Sequence, residues 1–293
     1  MRKAFSLLHS QLASLDVGDG VPVRVMAVLN VSPESFYQGS VHTHRERLAD
    51  VAQTLVCAGA NIIDVGAMST APYLKTTISV AEESERLTHA IEAIAPHISI
   101  PISADTKRAV PARTALAAGA TIINDVGGLK HDPQMAEVVA AANAGVIIMA
   151  SENMPQTGLP PMQRIRIALN ESLTIADRAR IPRQHIVLDP GIGFFRRPEI
   201  PWHEWDRVVL QDLASLRELG FPLLVGVSRK SFIGKILNQP NPADRLVGSL
   251  SCAAIAVYNG AHIIRAHDVR ETVEAVRMAE WLRPQVQSPK SKV

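Results

Sequence analysis

Three stretches of the sequence share one pattern and decide the fold: Gly59-Ala-Asn-Ile-Ile-Asp64, Gly119-Ala-Thr-Ile-Ile-Asn124 and Gly260-Ala-His-Ile-Ile-Arg265. In each, a glycine follows an amphipathic helical pattern, as is typical of the position just after a helix. Two β-branched residues and then a polar residue come next, which indicates a short strand covered on both faces. A looser copy, Gly145-Val-Ile-Ile-Met149, predicts a fourth junction of this kind.

Extending the pattern along the chain predicts eight strands, each followed by a helix, at residues 24–30, 62–66, 98–105, 121–126, 146–150, 185–188, 223–227 and 262–266. Eight such units predict an α/β fold, a single TIM (β/α)8 barrel. An open doubly wound sheet is the alternative, and the absence of a Gly-x-Gly-x-x-Gly segment in the first unit argues against it. We expect residues 23–283 to form the barrel, 1–22 a leader at its bottom, and 284–293 a disordered tail.

The composition argues against several classes of protein. Thirty basic and 28 acidic residues give a net charge of +2, without the long basic run of a nucleic-acid surface. No apolar stretch is long enough to span a bilayer. Cys57 and Cys252 fall in apolar helical patterns, which predicts buried thiols of a reducing cytosol and neither a disulfide nor a zinc site. We therefore expect a cytoplasmic protein that binds neither nucleic acid nor membranes.

Polar residues follow the predicted strands at the end of the barrel where enzymes of this fold carry their active sites. One group offers carboxylates, an amide and an ammonium: Asp64, Asp105, Asn124, Asp189 and Lys230. This mixture of acceptors and donors suits a flat heterocycle with a donor–acceptor edge. Each residue alone could be an ordinary turn or capping residue, but the whole set on one rim predicts a binding site.

A second group lies at the ends of the first and last strands, which are neighbours in a closed barrel. Arg265 and His267 would form a pair of cations beside the amide of Asn30. Such an arrangement predicts an anion site, with Asn30 able to hold a metal that bridges phosphate oxygens. Ser231 follows the seventh strand and would lie near a helix N-terminus, which also favours an anion.

The sequence resembles the dihydropteroate synthase family between about residues 24 and 282. The likeness is carried by segments in the same order: Leu29-Asn-Val-Ser-Pro-Glu-Ser-Phe36, Asp64-Val-Gly66 with Ser69-Thr70, Ala104-Asp-Thr106, Ile123-Asn-Asp-Val126, Asp189-Pro-Gly-Ile-Gly-Phe194, Gly226-Val-Ser-Arg-Lys-Ser-Phe-Ile-Gly234 and Arg265-Ala-His-Asp268. The resemblance implies a cytosolic homodimer with a TIM barrel. It also implies a transferase that condenses 6-hydroxymethyl-7,8-dihydropterin diphosphate with an arylamine, releases diphosphate and uses Mg²⁺.

The resemblance also implies a role for each residue of the rim. Pterin-binding residues would be Asp64, Asp105, Asn124, Met149, Asp189 and Lys230. Diphosphate-binding residues would be Asn30, Arg265 and His267, with Asn30 as metal ligand, and arylamine-binding residues would be Ser69, Thr70 and Ser231. In catalysis Asp105 would stabilise a cationic methylene carbon, Lys230 would hold the pterin, and Arg265 and His267 would receive the leaving diphosphate.

The sequence departs from the family pattern in the loops. Ala71 stands where the family usually has arginine, Gln38 lies where an aspartate is usual, and Ala150 replaces a histidine. We expect turnover with p-aminobenzoate to be weaker than in usual family members, and an arginine at position 71 to improve it. Three alternatives remain open: the same chemistry with 4-(ribofuranosyl)aminobenzene 5′-phosphate in tetrahydromethanopterin biosynthesis, a pterin-binding module of the methyltransferase type, and a non-catalytic paralogue.

Overall fold

The computed structural model describes residues 7–31, 41–67, 78–152, 158–195 and 199–283, with only the backbone given for 41–46. Eight parallel strands form the central barrel: β3 (Arg24–Asn30), β4 (Ile62–Gly66), β5 (Ile102–Asp105), β6 (Ile122–Asp125), β7 (Gly145–Met149), β8 (Ile186–Asp189), β9 (Leu224–Gly226) and β10 (Ile263–Ala266). Their order is β8-β7-β6-β5-β4-β3-β10-β9, and a parallel bridge between Leu188 and Leu223 closes the ring. The predicted TIM barrel is confirmed, with every predicted strand present.

Helices surround the strands, and their bounds are α1 (Val41–Cys57), α2 (Val80–Ile94), α3 (Ala109–Ala117), α4 (Met135–Ala141), α5 (Pro161–Arg178), α6 (Trp202–Gln211), α7 (Ser231–Ile236), α8 (Leu246–Tyr258) and α9 (Val269–Leu282). Short 3₁₀ segments cover Ala95–His97, Arg183–His185, Leu213–Leu219 and Pro242–Arg245. In the parts of the chain given above, no helix combines the length and apolar character needed to cross a membrane.

The three glycines of the repeated pattern end their helices in the same way. At Gly59 the backbone N–H donates to Val56 O, and the next N–H, that of Ala60, donates to Leu55 O. Gly119 and Gly260 repeat both bonds, and all three glycines have φ between 104° and 118°. This is the Schellman motif, which requires the left-handed region at the residue after the helix. The motif turns each helix directly into the strand that carries the polar residue.

The looser copy at Gly145 was expected to follow this pattern, and that prediction is wrong. The left-handed residue after α4 is Asn143, with φ of 50°, and Gly145 is instead the first residue of β7. A Cβ at Gly145 would lie 3.0 Å from Leu12 Cδ2. The glycine therefore leaves space for a neighbouring segment.

That segment is an antiparallel hairpin of β1 (His9–Leu12) and β2 (Leu15–Gly18). Leu12 and Val17 are fully buried and pack against one inward-facing apolar residue from almost every barrel strand: Met26, Ile62, Ile122, Ile147, Val187, Leu224 and Ile263. Ser10 Oγ also donates to Ile186 O at 2.7 Å. The hairpin thus closes the N-terminal end of the barrel with an apolar layer.

The prediction that both cysteines are buried is wrong for Cys57. Cys57 is the last residue of α1 and is exposed, because it lies on the solvent side of the final turn. Cys252 is partly exposed on α8, and burial raises the pKa of its thiol to about 11.

Candidate active site

The residues that line the site follow from strand alternation. Because side chains two positions apart share a face, the residue two places after each apolar layer residue also points into the barrel. The bottom layer at Ile62, Ile122 and Ile263 is therefore followed by Asp64, Asn124 and Arg265 in the next layer. The lower layer is apolar, and the upper layer carries polar residues on several strands, with Val28, Met149 and Gly226 in that layer on β3, β7 and β9.

A cavity of about 380 Å³ opens at the carboxyl ends of the strands. It is lined by most of the predicted site residues, namely Asn30, Asp105, Asn124, Met149, Asp189, Lys230, Arg265 and His267. Apolar and small residues complete the wall: Val28, Val126, Ile192, Phe194, Gly226 and Pro242. Ser228 and Arg229, which the sequence analysis did not assign to the site, also line it.

A second cavity of about 300 Å³ adjoins the first and shares Val126, Met149 and Phe194 with it. Its wall includes Glu152, whose carboxylate forms a bidentate pair with Arg164 at 2.7 and 2.6 Å. Both side chains of this pair are almost fully buried. The pair therefore acts as a fixed support beside the site.

Arg265 connects two carboxylates on the floor of the site. Its Nε donates to Asp64 Oδ2 at 2.7 Å and its Nη2 donates to Asp105 Oδ2 at 2.8 Å. Asn124 Nδ2 also donates to Asp64 Oδ2, at 3.0 Å. The two predicted half-sites, for pterin and for diphosphate, are thus joined through one guanidinium.

Asp64 differs from the other predicted pterin residues. Its side chain is completely buried and does not line the cavity. Its Oδ2 accepts from both Arg265 and Asn124, so it orients two residues that do face the cavity. We therefore assign Asp64 to positioning, and not to direct contact with a ligand.

Asp105 is a buried acid with one oxygen available. Its Oδ1 has no hydrogen-bond partner among the residues that the structure describes. Burial raises the pKa of Asp105 to about 7, because desolvation and the nearby Asp64 outweigh the opposing charge of Arg265. A ligand that brings a donor or a positive charge to this oxygen would stabilise the carboxylate.

Asp189 and Lys230 form the opposite side of the cavity. Asp189 Oδ1 accepts the Gly191 N–H at 2.8 Å, and burial raises the pKa of Asp189 to about 6. Loss of solvent lowers the pKa of Lys230 to about 8, with Asp189 acting against the shift. The Lys230 Nζ lies 4.4 Å from the centre of the Phe194 ring, a cation–π contact that leaves its N–H groups available to a ligand.

His267 lies at the mouth of the cavity, where its Nδ1 is 3.0 Å from Ser228 Oγ. The protein around the ring and the positive charges of Arg265 and Arg229 lower the pKa of His267 to about 4. In the unliganded cavity the guanidinium of Arg265 therefore lies beside an uncharged imidazole, and the pairing of both residues with an anion stays a prediction. At neutral pH, His267 can take part in hydrogen bonds without adding a charge.

The turn that carries Lys230 is held in a strained conformation. Arg229 has φ of +57°, which is unfavourable for a residue with a side chain. Its guanidinium forms a bidentate pair with Asp268 at 3.0 and 2.5 Å, and its N–H donates to Ser249 Oγ at 2.8 Å. Arg245 Nη1 donates to Arg229 O at 3.0 Å. These contacts fix the loops after β9 and β10, and so fix Lys230 relative to His267.

Of the three predicted arylamine residues, Ser231 lies in the described part of the chain. Ser231 is the first residue of α7 and does not line the cavity. Lys230, and not Ser231, is the capping residue that precedes this helix. Ser69 and Thr70 lie outside the described residues, as do Ala71 and Gln38.

Among the described residues, the fit of Mg²⁺ rests on Asn30. In the described ranges no three His, Cys, Asp or Glu side chains come close enough to hold a metal ion. Mg²⁺ usually keeps several waters and takes one or two protein oxygens together with substrate phosphates. The Asn30 amide, in the same cavity as Arg265 and His267, fits a cation carried in by a diphosphate.

A family model and individual relatives of known name match most of this chain and indicate the same family. The Pterin binding enzyme family matches residues 26–267. Dihydropteroate synthase of Synechocystis sp. is 39% identical over 268 residues, which are 88% of this chain and 89% of that protein. Dihydropteroate synthase of Escherichia coli K12 is 39% identical over 279 residues, which are 93% of this chain and 95% of that protein.

Solved structures that superpose on this chain carry the same name as these relatives. Dihydropteroate synthase of Xanthomonas albilineans, solved with 4-aminobenzoic acid, superposes with a TM-score of 0.84 at 31% identity. The match covers 94% of this chain and 98% of the other. The shared barrel, the cavity and the extent of the likeness lead to one conclusion. The chain belongs to the dihydropteroate synthase family of pterin-binding enzymes.

Proposed function

We propose that the protein is a dihydropteroate synthase of folate biosynthesis. It condenses 6-hydroxymethyl-7,8-dihydropterin diphosphate with p-aminobenzoate and releases diphosphate. The strongest support is that one cavity contains two groups of side chains. Hydrogen-bond donors and acceptors that suit a flat heterocycle are Asp105, Asn124, Asp189 and Lys230, and groups that suit an anion are Asn30, Arg265 and His267. Relatives that are 39% identical over most of this chain carry the same name.

The pterin ring is held by groups of complementary hydrogen-bonding character. Asp189 is a carboxylate that can accept from an exocyclic amino group and a ring N–H, and Lys230 can donate to a carbonyl or ring nitrogen. Asn124 can do both, and its orientation is fixed by its bond to Asp64. Met149 provides an apolar surface for the flat ring.

In the reaction the C–O bond to diphosphate breaks and its electron pair leaves with the oxygen. The methylene carbon becomes cationic, and the ionised carboxylate of Asp105 stabilises it from the floor of the cavity. The neutral aniline nitrogen then forms the C–N bond and releases a proton to solvent. The protein needs no nucleophilic side chain for this step.

Arg265 and His267 receive the leaving diphosphate. Arg265 contributes a fixed positive charge, and His267 contributes a neutral hydrogen-bonding group held by Ser228. Asn30 would hold Mg²⁺, which would supply further positive charge to the phosphate oxygens when bound. Because Arg265 also pairs with Asp105, it couples the leaving-group side to the carboxylate that faces the methylene carbon.

The test is turnover by the purified protein with the pterin diphosphate, p-aminobenzoate and Mg²⁺. We expect dihydropteroate and diphosphate in a one-to-one ratio, and loss of both products in His267→Ala while free pterin still binds. Pterin binding without any diphosphate release would overturn the synthase assignment in favour of a binding module or a non-catalytic paralogue.

The choice of amine is tested separately. The names of the relatives and the X. albilineans structure with 4-aminobenzoic acid support p-aminobenzoate over a ribofuranosyl amine. Steady-state kinetics of wild type and Ala71→Arg with both amines measure the effect of the altered loop. We expect the arginine to increase kcat/KM for p-aminobenzoate, and an unchanged value would contradict the role given to Ala71.

We also propose that the enzyme is a cytoplasmic homodimer that pairs through α8 and α9. Helix α8 has no charged residue, yet it exposes Val247, Ile255 and Tyr258, and the adjacent α9 exposes Met278 and Trp281. An apolar face of this kind usually meets a partner. Sedimentation of Ile255→Asp and Trp281→Asp should show monomers where wild type is a dimer; a monomeric wild type would contradict the proposal.

A further inference from the structure

Helix α6 places a buried carboxylate behind the site. The side chain of Asp206 is completely buried, and its Oδ1 accepts the Gly193 N–H at 2.7 Å. The preceding residue, Trp205, stacks on Phe195, with ring centroids 4.6 Å apart and an interplanar angle of 17°. Two consecutive residues of one helix thus hold the residues on either side of Phe194.

The position of these residues decides where Lys230 lies. The Lys230 Nζ rests over the Phe194 ring, and its methylene chain passes against Gly193. A Cβ added at Gly193 would lie 2.9 Å from Lys230 Cδ, and Gly193 has φ of +83°. A small movement of this loop would therefore displace Lys230 from the cavity wall.

Asp206 also contributes to the charge around the ammonium. The charged groups that face Lys230 are Asp189 from β8, Asp105 from β5, Asp206 from α6 and Arg265 from β10. The two carboxylates from strands line the cavity, where a ligand can occupy them, whereas Asp206 does not line it. Its negative charge therefore favours the protonated form of Lys230 whether or not a ligand is bound.

We propose that Asp206 is a positioning residue for pterin recognition, which acts through Gly193 and Lys230 and does not touch the ligand. This inference rests on the proposed function, because it assigns Lys230 to the pterin. It predicts two separable effects, one from the hydrogen bond to Gly193 and one from the negative charge. A residue that served only the stability of the loop would have neither effect on ligand binding.

Two substitutions separate these effects. Asp206→Asn keeps an oxygen that can accept from Gly193 and removes the charge, whereas Asp206→Ala removes both. Asp212→Asn is the matched control, because Asp212 is an exposed residue at the C-terminal end of the same helix and the substitution removes the same charge. Each variant is measured by thermal unfolding, by calorimetry with 6-hydroxymethyl-7,8-dihydropterin from pH 6 to 9.5, and by steady-state kinetics with both substrates.

For Asp206→Ala we expect pterin affinity to fall about tenfold, as for loss of a buried hydrogen bond, with KM for p-aminobenzoate unchanged. For Asp206→Asn we expect affinity near neutral pH to stay close to wild type. Its loss at alkaline pH should begin at lower pH, because removal of a nearby negative charge lowers the pKa of Lys230. Asp212→Asn should match wild type in both measurements.

If Asp206→Asn folds and loses pterin affinity at the same alkaline pH as Asp212→Asn, the charge effect is absent and the proposal fails. This outcome does not depend on whether Asp206→Ala folds. Equal losses for pterin and p-aminobenzoate in Asp206→Ala would also overturn it, since they indicate a general loosening of the site. In both cases pterin binding by wild type leaves the proposed function intact. A wild type that does not bind the pterin would overturn both.

Discussion

The charged residues at the floor of the site shift one another's pKa values, although they lie far apart in the sequence. Asp105, Asp189 and Lys230 titrate near neutral pH, since burial raises the pKa values of both acids, to about 7 and about 6, and lowers that of Lys230 to about 8. The recognition of the pterin proposed above uses ionised acids and a protonated lysine. The active form of the free enzyme therefore exists in a narrow pH range.

This predicts a bell-shaped pH dependence of kcat/KM for the pterin diphosphate. Activity should rise as pH increases through about 6 to 7, where the acids ionise, and fall above about 8, where Lys230 loses its proton. In Lys230→Arg the alkaline limb should disappear even though the maximum is lower, because arginine stays protonated. An alkaline limb that persists in Lys230→Arg would show that another group titrates there.

A second prediction concerns Gly226, which lines the cavity on β9. Within the described part of the chain, a Cβ added there would meet only Arg265 Cβ, at 3.8 Å, an ordinary contact distance. Gly226→Ala should therefore change the free energy of unfolding by less than about 0.5 kcal/mol. The methyl group would occupy ligand space, and pterin affinity measured by calorimetry should fall about tenfold. Unchanged affinity would place the pterin elsewhere.

The site residues could be predicted because the sequence repeats an apolar residue and a polar residue two places apart at the strand ends. Their partners could not be predicted in the same way. The pairing of Arg265 with both Asp64 and Asp105, and the neutral state of His267, depend on distances across the barrel that strand patterns do not contain. Asp206 could not be predicted in this way, because it lies on α6 and not at the end of a strand.

Among the secondary-structure elements, the strands were predicted more accurately than their neighbours. β3 and β4 begin and end where the apolar runs do, because both faces of each strand are covered. Between β8 and β9 the single helix expected of a βα unit is instead α6 followed by a 3₁₀ segment, since the α-helix ends at Gln211 and the 3₁₀ segment begins at Leu213. The β1–β2 hairpin was not predicted, because its strands have only four residues each and its partners lie far along the chain.

The hairpin yields a prediction at the scale of an element. Leu12 is fully buried in the apolar layer at the bottom of the barrel. Leu12→Ala would leave a void there, which costs about 2–5 kcal/mol of unfolding free energy. Denaturant unfolding measures this loss, and pterin affinity of the folded variant should stay near wild type because the void lies one layer below the site. A loss under about 1 kcal/mol would contradict a packing role for the hairpin.

At the scale of the whole molecule, one buried carboxylate joins the N-terminal segment to the far end of the chain. Asp19 accepts the Leu8 N–H at 2.9 Å and a bidentate pair from Arg217 at 2.9 and 2.7 Å. His262 accepts the Leu223 N–H at its Nδ1, and its Nε2 lies 3.4 Å from Asp19 Oδ1. Burial opposes ionisation, but these hydrogen bonds outweigh it and lower the pKa of Asp19 well below its usual range.

This network predicts how stability depends on pH. An acid with a lowered pKa in the folded state stabilises the protein above its unfolded pKa, near 4, and the stabilisation is lost as pH falls below that value. Asp19→Asn should therefore lower the unfolding free energy at pH 7 by about 3–5 kcal/mol and reduce its dependence on acid. Asp16→Asn, on the exposed side of the same hairpin, is the control and should do neither. Parallel acid dependences in wild type and Asp19→Asn would exclude the network as the cause.

The two layers inside the barrel have a consequence for how such an enzyme can change over time. Inside the barrel, the layer that Leu12 completes is apolar and packed, and the polar side chains that line the cavity lie two residues further along several strands. Substitutions in the upper layer can therefore alter which molecules are accepted while the scaffold retains its stability. A laboratory selection for a new amine or a new leaving group can leave the lower layer constant and vary only the rim.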